Sequence, residues 1–300
     1  MNYKNTAVIL AAGALLFLSP GASRAGEQGS TESAAEQEQG GDKENATLNE
    51  DGFSINPVLL DSEDSSGAAL GLEYNLGQSW NYKLGGPTAG DGQLSGDSFR
   101  NLKVFGATAS LQSNGTVASS ANRNPENFLE ASAKAGAFHS SRVGTFQLKF
   151  GGTYETDQEF DNKEAVYSLS FGYAKLISKK HVFALRVARG RVDPKEDEAR
   201  EAALGTDSLD KFYRNEAEAL AIVNIGDGPI QTLELNYQYY RESKAPAAVR
   251  AVGLSKFEMT TLRLGLRDGL YVAYSVGKLP FDQEKDRIYK IGWSYDLTKD

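Results

Sequence analysis

From Gly52 onward, hydrophobic side chains fall on every second residue over most of the chain. The clearest case is Glu164 to Val192, where Tyr167, Leu169, Phe171 and Tyr173 alternate with Ser168, Ser170 and Gly172. A polar turn at Ser178-Lys179-Lys180 follows, and alternation resumes with Phe183, Leu185 and Val187 set against Ala184, Arg186 and Ala188. Successive side chains of a strand point to opposite faces, so this stretch predicts a hairpin with one apolar face and one small or polar face.

The same reading, repeated along the chain, predicts about twelve strands. The first, Phe53 to Leu60, contains Pro57 and is expected to be irregular. The second is the most regular, with Leu70, Leu72, Tyr74, Leu76, Trp80 and Tyr82 on one face and Gly71, Glu73, Asn75 and Lys83 on the other. A Gly-rich loop, Gly85 to Ser98, leads to a third strand over Asn101 to Gln112, and the polar run SNGTVASSANRNPE reads as a loop. Strands four (Phe128 to Phe138) and five (Val143 to Glu155) precede the hairpin. Strand eight, Phe212 to Asn224, is ambiguous in facing. Strands nine to twelve carry Leu233 to Tyr239, Lys256 to Leu266, Leu270 to Val276 and Tyr289 to Leu297.

Between the seventh and eighth strands, DPKEDEAREAAL breaks the pattern. Asp193 as N-cap, Pro194 at the first helical position and Gly205 as terminator predict a short surface helix. Connections after strands four, six, eight and ten are short, and those after odd-numbered strands are generally longer. The connection after strand two is long where that parity asks for a short one. Counts of ten or fourteen therefore also fit.

Composition narrows the class. Apolar residues are 40% of the chain and mean hydropathy is −0.44, too polar for a bundle of membrane helices. Both values suit a barrel, in which half of each strand faces the lumen. There is no Cys, hence no disulfide, thiolate metal site or acylated Cys. A net charge of −8 argues against a partner bound through phosphates, and no nucleic acid is expected.

Residues 1–25 read as a signal peptide: Lys4 precedes the apolar run Ala7 to Leu18, then Pro20 and a small-x-small site at Ser23-Arg24-Ala25. Residues 26–51 carry eight acids against the single Lys43 and almost nothing to bury, which predicts a disordered spacer. A cation-binding or partner-docking tail is the alternative reading of that segment. Residues 52–300 then form the barrel, close to neutral.

Leader, alternation, loop asymmetry and the aromatic final strand (Tyr289, Ile291, Trp293, Tyr295) resemble those of bacterial outer-membrane β-barrel proteins as a broad class. That strand departs from their terminal assembly signal by ending in Leu297-Thr298-Lys299-Asp300. The resemblance implies an all-β, antiparallel up-and-down transmembrane barrel of about twelve strands in the bacterial outer membrane, with termini in the periplasm. Its implied partners are outer-membrane lipid and the barrel assembly machinery, with a periplasmic partner conceivable through residues 26–51. The competing architecture is a soluble β-sandwich, which alternates in the same way.

Parity places Glu73, Lys83, Lys149, Glu155, Arg186, Glu234, Arg263, Lys290 and Asp296 on the lumen face. Lys149, Arg186, Glu234, Arg263, Glu73 and Lys290 are the pore-lining candidates. The mixture of signs suits a narrow channel for passive passage of small polar solutes. It also suits an interior closed by ion pairs, a non-conducting structural or docking barrel. A third reading starts from His139-Ser140-Ser141, a His-x-Ser pattern similar to that of outer-membrane phospholipases and lipid A deacylases. The Asn that the phospholipase pattern has downstream is replaced here by Gly152 and Thr153, with Glu155 the nearest acid. No catalytic residue, cofactor or metal ligand is assigned.

Overall fold

The computed structural model describes residues 52–62, 67–85, 104–120, 126–177, 181–226, 228–282 and 285–296. The expected leader and spacer lie outside these, as do most of the Gly-rich loop, the Ser178-Lys179-Lys180 turn and Leu297. Twelve strands follow one another: β1 (Gly52–Ser62), β2 (Ala69–Gly85), β3 (Val104–Ala118), β4 (Leu129–Ser141), β5 (Gly144–Thr156) and β6 (Lys163–Ile177), then β7 (His181–Glu196), β8 (Phe212–Asn224), β9 (Ile230–Ser243), β10 (Lys256–Leu266), β11 (Leu270–Lys278) and β12 (Asp286–Trp293). Each pairs antiparallel with its neighbours in sequence, and β1 also pairs with β12, Val58 lying opposite Gly292 and Ser62 opposite Ile288. The sheet closes on itself. This is an up-and-down β-barrel of twelve strands, without an open edge.

The closing seam accounts for Pro57. Tyr295–Asp296 continues β12 beyond a break at Ser294 and pairs with Ile55 and Ser54. The break faces Asn56 and Pro57, where proline has no N–H to donate. On the opposite side of the strand, Ser294 N–H donates to the carbonyl of Gly269, the residue before β11, at 2.8 Å. On its other side β1 pairs with β2 without a register shift, Pro57 opposite Leu72. The first strand is therefore regular towards β2, and the irregularity expected at Pro57 is confined to the seam with β12.

Two other boundaries move. β3 runs six residues past Gln112, taking SNGTVA out of the expected loop. Polar side chains there meet a polar lumen, so Asn114 and Thr116 continue the inward row beside Glu130 on β4 and Glu73 on β2. Strand seven likewise passes through Pro194 to Glu196, and the helix that follows, α1 (Glu198–Leu204), is capped by Asp197 rather than Asp193. Asp197 Oδ1 accepts from Arg200 N–H at 2.9 Å, and Gly205 ends the helix with a left-handed φ of 66°. The helix is not simply solvated, since Arg200 is buried. A second helix, α2 (Ala247–Ala251), was not expected from the sequence; Val249 and Leu254 pack with Ala199, Leu204 and Phe257.

Burial is inverted relative to a soluble protein. Inward rows include Thr108, Ser110, Gln147, Lys149 and Thr153, each less than 9% exposed. Outward rows include Leu70, Phe150 and Tyr167, at 70%, 64% and 63% exposed. A two-layer sandwich would bury the apolar rows against a second sheet; here one sheet curls round its polar face.

The outer face is also ordered along the strands. Aliphatic side chains such as Leu148, Leu185 and Leu235 hold the middle. Trp80, Tyr82, Phe105 and Trp293 lie towards the end with short turns, and Tyr154, Tyr167, Tyr213 and Tyr239 towards the other. Near the short-turn end, the Phe146 and Tyr173 rings are 5.0 Å apart and Tyr173 Oη donates to the Val143 carbonyl at 2.6 Å. Beyond Val187 the outer row of β7 turns basic with Arg189 and Arg191, and Arg189 lies 5.3 Å from the Tyr213 ring. An apolar band between aromatic belts is the exterior of a barrel embedded in lipid.

Candidate functional site: a charged lumen

The inward rows enclose a cavity of about 500 Å³, lined by five carboxylates and five bases. All six pore-lining candidates, Lys149, Arg186, Glu234, Arg263, Glu73 and Lys290, face it. They do not form one constellation. Strand register distributes them around the wall, and their ion-pair partners divide them into different groups.

The first group lies towards the long-loop end and centres on Arg214, 3% exposed. Its guanidinium donates to Glu155 at 2.7 Å, to Glu164, and to Glu216 at 3.4 Å, with the Tyr240 ring 5.2 Å away. Arg186 extends this group into the cavity, 3.4 Å from Glu216 and 3.2 Å from Glu218. Above it, Arg200 reaches from α1 to Glu242 on β9 at 2.5 Å and lies 4.1 Å from the Phe212 ring. That contact ties α1 to the barrel. Burial pushes the Asp197 carboxyl above its ordinary range, although the Arg200 backbone N–H and its charge pull the other way.

The second group spans the closing seam. Lys290 on β12 donates to Glu126 at 2.5 Å and lies 3.6 Å from Glu73 on β2. Glu126 belongs to the β3–β4 connection, so the end of that connection next to β4 reaches the barrel mouth. Phe128, two residues on, faces Phe281 from the β11–β12 connection at 6.1 Å. Next to Phe281, burial pushes the Asp282 carboxyl up to about 7; the Leu279 N–H and Lys278 oppose this, and Glu126 adds to it. Tyr271 Oη donates to Glu73 at 2.5 Å. The ring lies across Gly292, where a Cβ would come within 2.5 Å of it. Arg263 lies over the same ring, its guanidinium carbon 3.7 Å from the centroid.

Lys149, 4% exposed, stands on the β5 wall beside Lys134, which lies 3.8 Å from Glu130. Glu234 is the cross-strand neighbour of Arg263. Lys83 lies on the inward parity but is exposed near the end of β2. His139 and Ser141 stand on the outward row near the short-turn end, and Ser141 Oγ donates to the Gly144 carbonyl at 3.4 Å.

Sequence reading missed Arg214, Glu216, Arg200, Glu242 and Glu126. The first two were hidden because β8 carries alanines outward (Ala217, Ala219, Ala221) and Leu220 inward, so neither face reads as apolar. Aligning β8 with β7 would have exposed the pattern, since it brings Arg186 opposite Glu218. Glu126 and Arg200 lie in connections, where alternation carries no information.

No family model matches the sequence, and no curated protein matches it. Among solved structures the fold is similar to that of the NanC porin, at 10% identity and a TM-score of 0.46 over 82% of this chain and 100% of that one. It is similar to OmpT, an outer membrane protein of Vibrio cholerae, at 12% identity and TM-score 0.40 over 82% and 97% of the two chains. It is also similar to the outer membrane channel DcaP of Acinetobacter baumannii, at 11% and 0.40 over 81% and 96%.

Proposed function

We propose that this protein is a bacterial outer-membrane barrel whose lumen is a narrow path for passive passage of small polar solutes. The observation that carries the reading is the cavity of about 500 Å³ with both signs of charge on its wall, inside a sheet whose outer face is apolar. Fixed charges of both signs lower the cost of moving a hydrated solute through low-dielectric surroundings, and neither sign dominates. Twelve strands fall between small filled barrels and wide aqueous porins, so the path is narrow. In this reading a leader exports the chain, the termini belong to the periplasm, and the assembly machinery inserts the barrel into lipid.

A second reading, a barrel that does not conduct, has its own supporting observation: the ion-paired layer around Arg214 and the inward reach of Glu126. Folded protein reconstituted into a planar lipid bilayer separates the two. Discrete current steps smaller than those of wide porins, with weak preference between cations and anions, are the expected result. A silent bilayer from folded protein rules out the channel and leaves the structural barrel.

A further inference from the structure

Most charges in the lumen are already engaged. Arg186, Arg214, Lys290 and Glu73 each have an opposite charge within 4 Å. Two groups differ. Among the described residues, neither the Arg263 guanidinium nor the Glu234 carboxylate has an ion-pair or hydrogen-bond partner, although their backbones are directly opposed on β10 and β9. Adjacent opposite charges in a confined space normally collapse onto each other. Here the cause of their separation is visible.

Arg263 lies over the Tyr271 ring, its guanidinium carbon 3.7 Å from the centroid, and this contact draws the guanidinium towards β11. Tyr271 is held in turn by its hydrogen bond to Glu73, by the Lys290 and Glu126 pairs behind that carboxylate, and by the room left at Gly292. The side towards the ring is occupied, and the edge donors of the guanidinium remain for a ligand. On the other side, Glu234 presents an acceptor into the same cavity. Asn236, next on its inward row, adds an amide whose oxygen takes no hydrogen bond from the protein.

We infer that Arg263 and Glu234 form a binding site for a small zwitterion bearing a carboxylate and an ammonium group, as an α-amino acid does. The guanidinium edge takes the carboxylate through paired N–H donors, and Glu234 takes the ammonium. A solute with only one of these charges leaves the other protein charge unanswered and binds less well. This deepens the channel reading, on which its role in passage rests; binding itself does not require conduction.

Two readouts keep the ideas apart. Saturation-transfer NMR on folded protein in detergent measures binding of glycine, acetate and methylammonium, and block of ion current by glycine measures occupancy of the path. Glycine is expected to bind at least tenfold more tightly than either single-charge probe, and Arg263→Gln or Glu234→Gln to weaken it roughly tenfold. Tyr271→Leu frees Arg263 to close on Glu234, and glycine binding falls although both charges remain. Each variant is first checked for the folded band in unheated electrophoresis. Glycine binding unchanged in both folded Gln variants, or acetate binding as tightly as glycine, overturns the site. A silent bilayer with intact glycine binding overturns only the channel.

Discussion

Replacing Arg214 with alanine is expected to destabilise the barrel by about 3–5 kcal/mol, the range for removing one partner of a buried ion pair. Glu155, Glu164 and Glu216 all converge on this guanidinium, and each is less than 9% exposed. Without it, three carboxylates share one layer from which water is largely excluded. They must take up protons, draw in water or push the strands apart. Adding Glu155→Gln and Glu164→Gln to Arg214→Ala is expected to recover part of the loss, because neutral amides carry no uncompensated charge. Denaturant midpoints of protein folded in lipid vesicles measure both steps. An unchanged midpoint for Arg214→Ala would mean that the layer contributes nothing to the long-loop end.

The outer face yields the second large effect. Phe150 stands at the middle of β5, 64% exposed, between Ala135 on β4 and Leu169 on β6. Were this face in water, Phe150→Arg would change stability by no more than about 0.5 kcal/mol, as exposed surface substitutions do. In hydrocarbon the same change costs about 2–4 kcal/mol near the midplane. Phe150→Leu, which keeps the site apolar, is expected to stay close to wild type. The contrast between the two variants is the informative quantity, read from denaturant midpoints in vesicles.

Alternation made the barrel legible because each inward residue is flanked by outward ones, and the lumen charges came out of the same parity. It failed wherever another force set the local structure. SNGTVA looked like a loop because its inward residues are polar, yet a polar lumen accepts polar side chains and lets β3 continue. Asp193 and Pro194 read as a helix start, but pairing with β6 holds both in a strand, and Asp197 performs the cap. Pro57 reads as a disruption of the whole strand, but pairing is interrupted only towards β12, between Val58 and Ile55, and runs unbroken towards β2. The connection after β2 remains the exception to loop parity: β2 ends at Gly85 and β3 begins at Val104, both at the short-turn end, although they are far apart in sequence.

The candidate site was half legible. Parity identified Arg263 and Glu234 as inward but could not distinguish them from Arg186 or Lys290. What separates them is partnership, and it depends on register between strands and on a loop residue, Glu126, that periodicity cannot place. Tyr271 shows the same limit: it belongs to the inward row, yet its support for Arg263 needs Gly292 on the neighbouring strand.

All of this rests on the outer face meeting lipid hydrocarbon. The two tryptophans of the chain, Trp80 and Trp293, both lie on that face, 48% and 43% exposed, towards the short-turn end. Their fluorescence in vesicles is therefore the most direct probe. Lipids brominated high on the acyl chain should quench most of the emission, and aqueous iodide should quench little. Strong iodide quenching with no effect of brominated lipid would place both indoles in water and contradict the account.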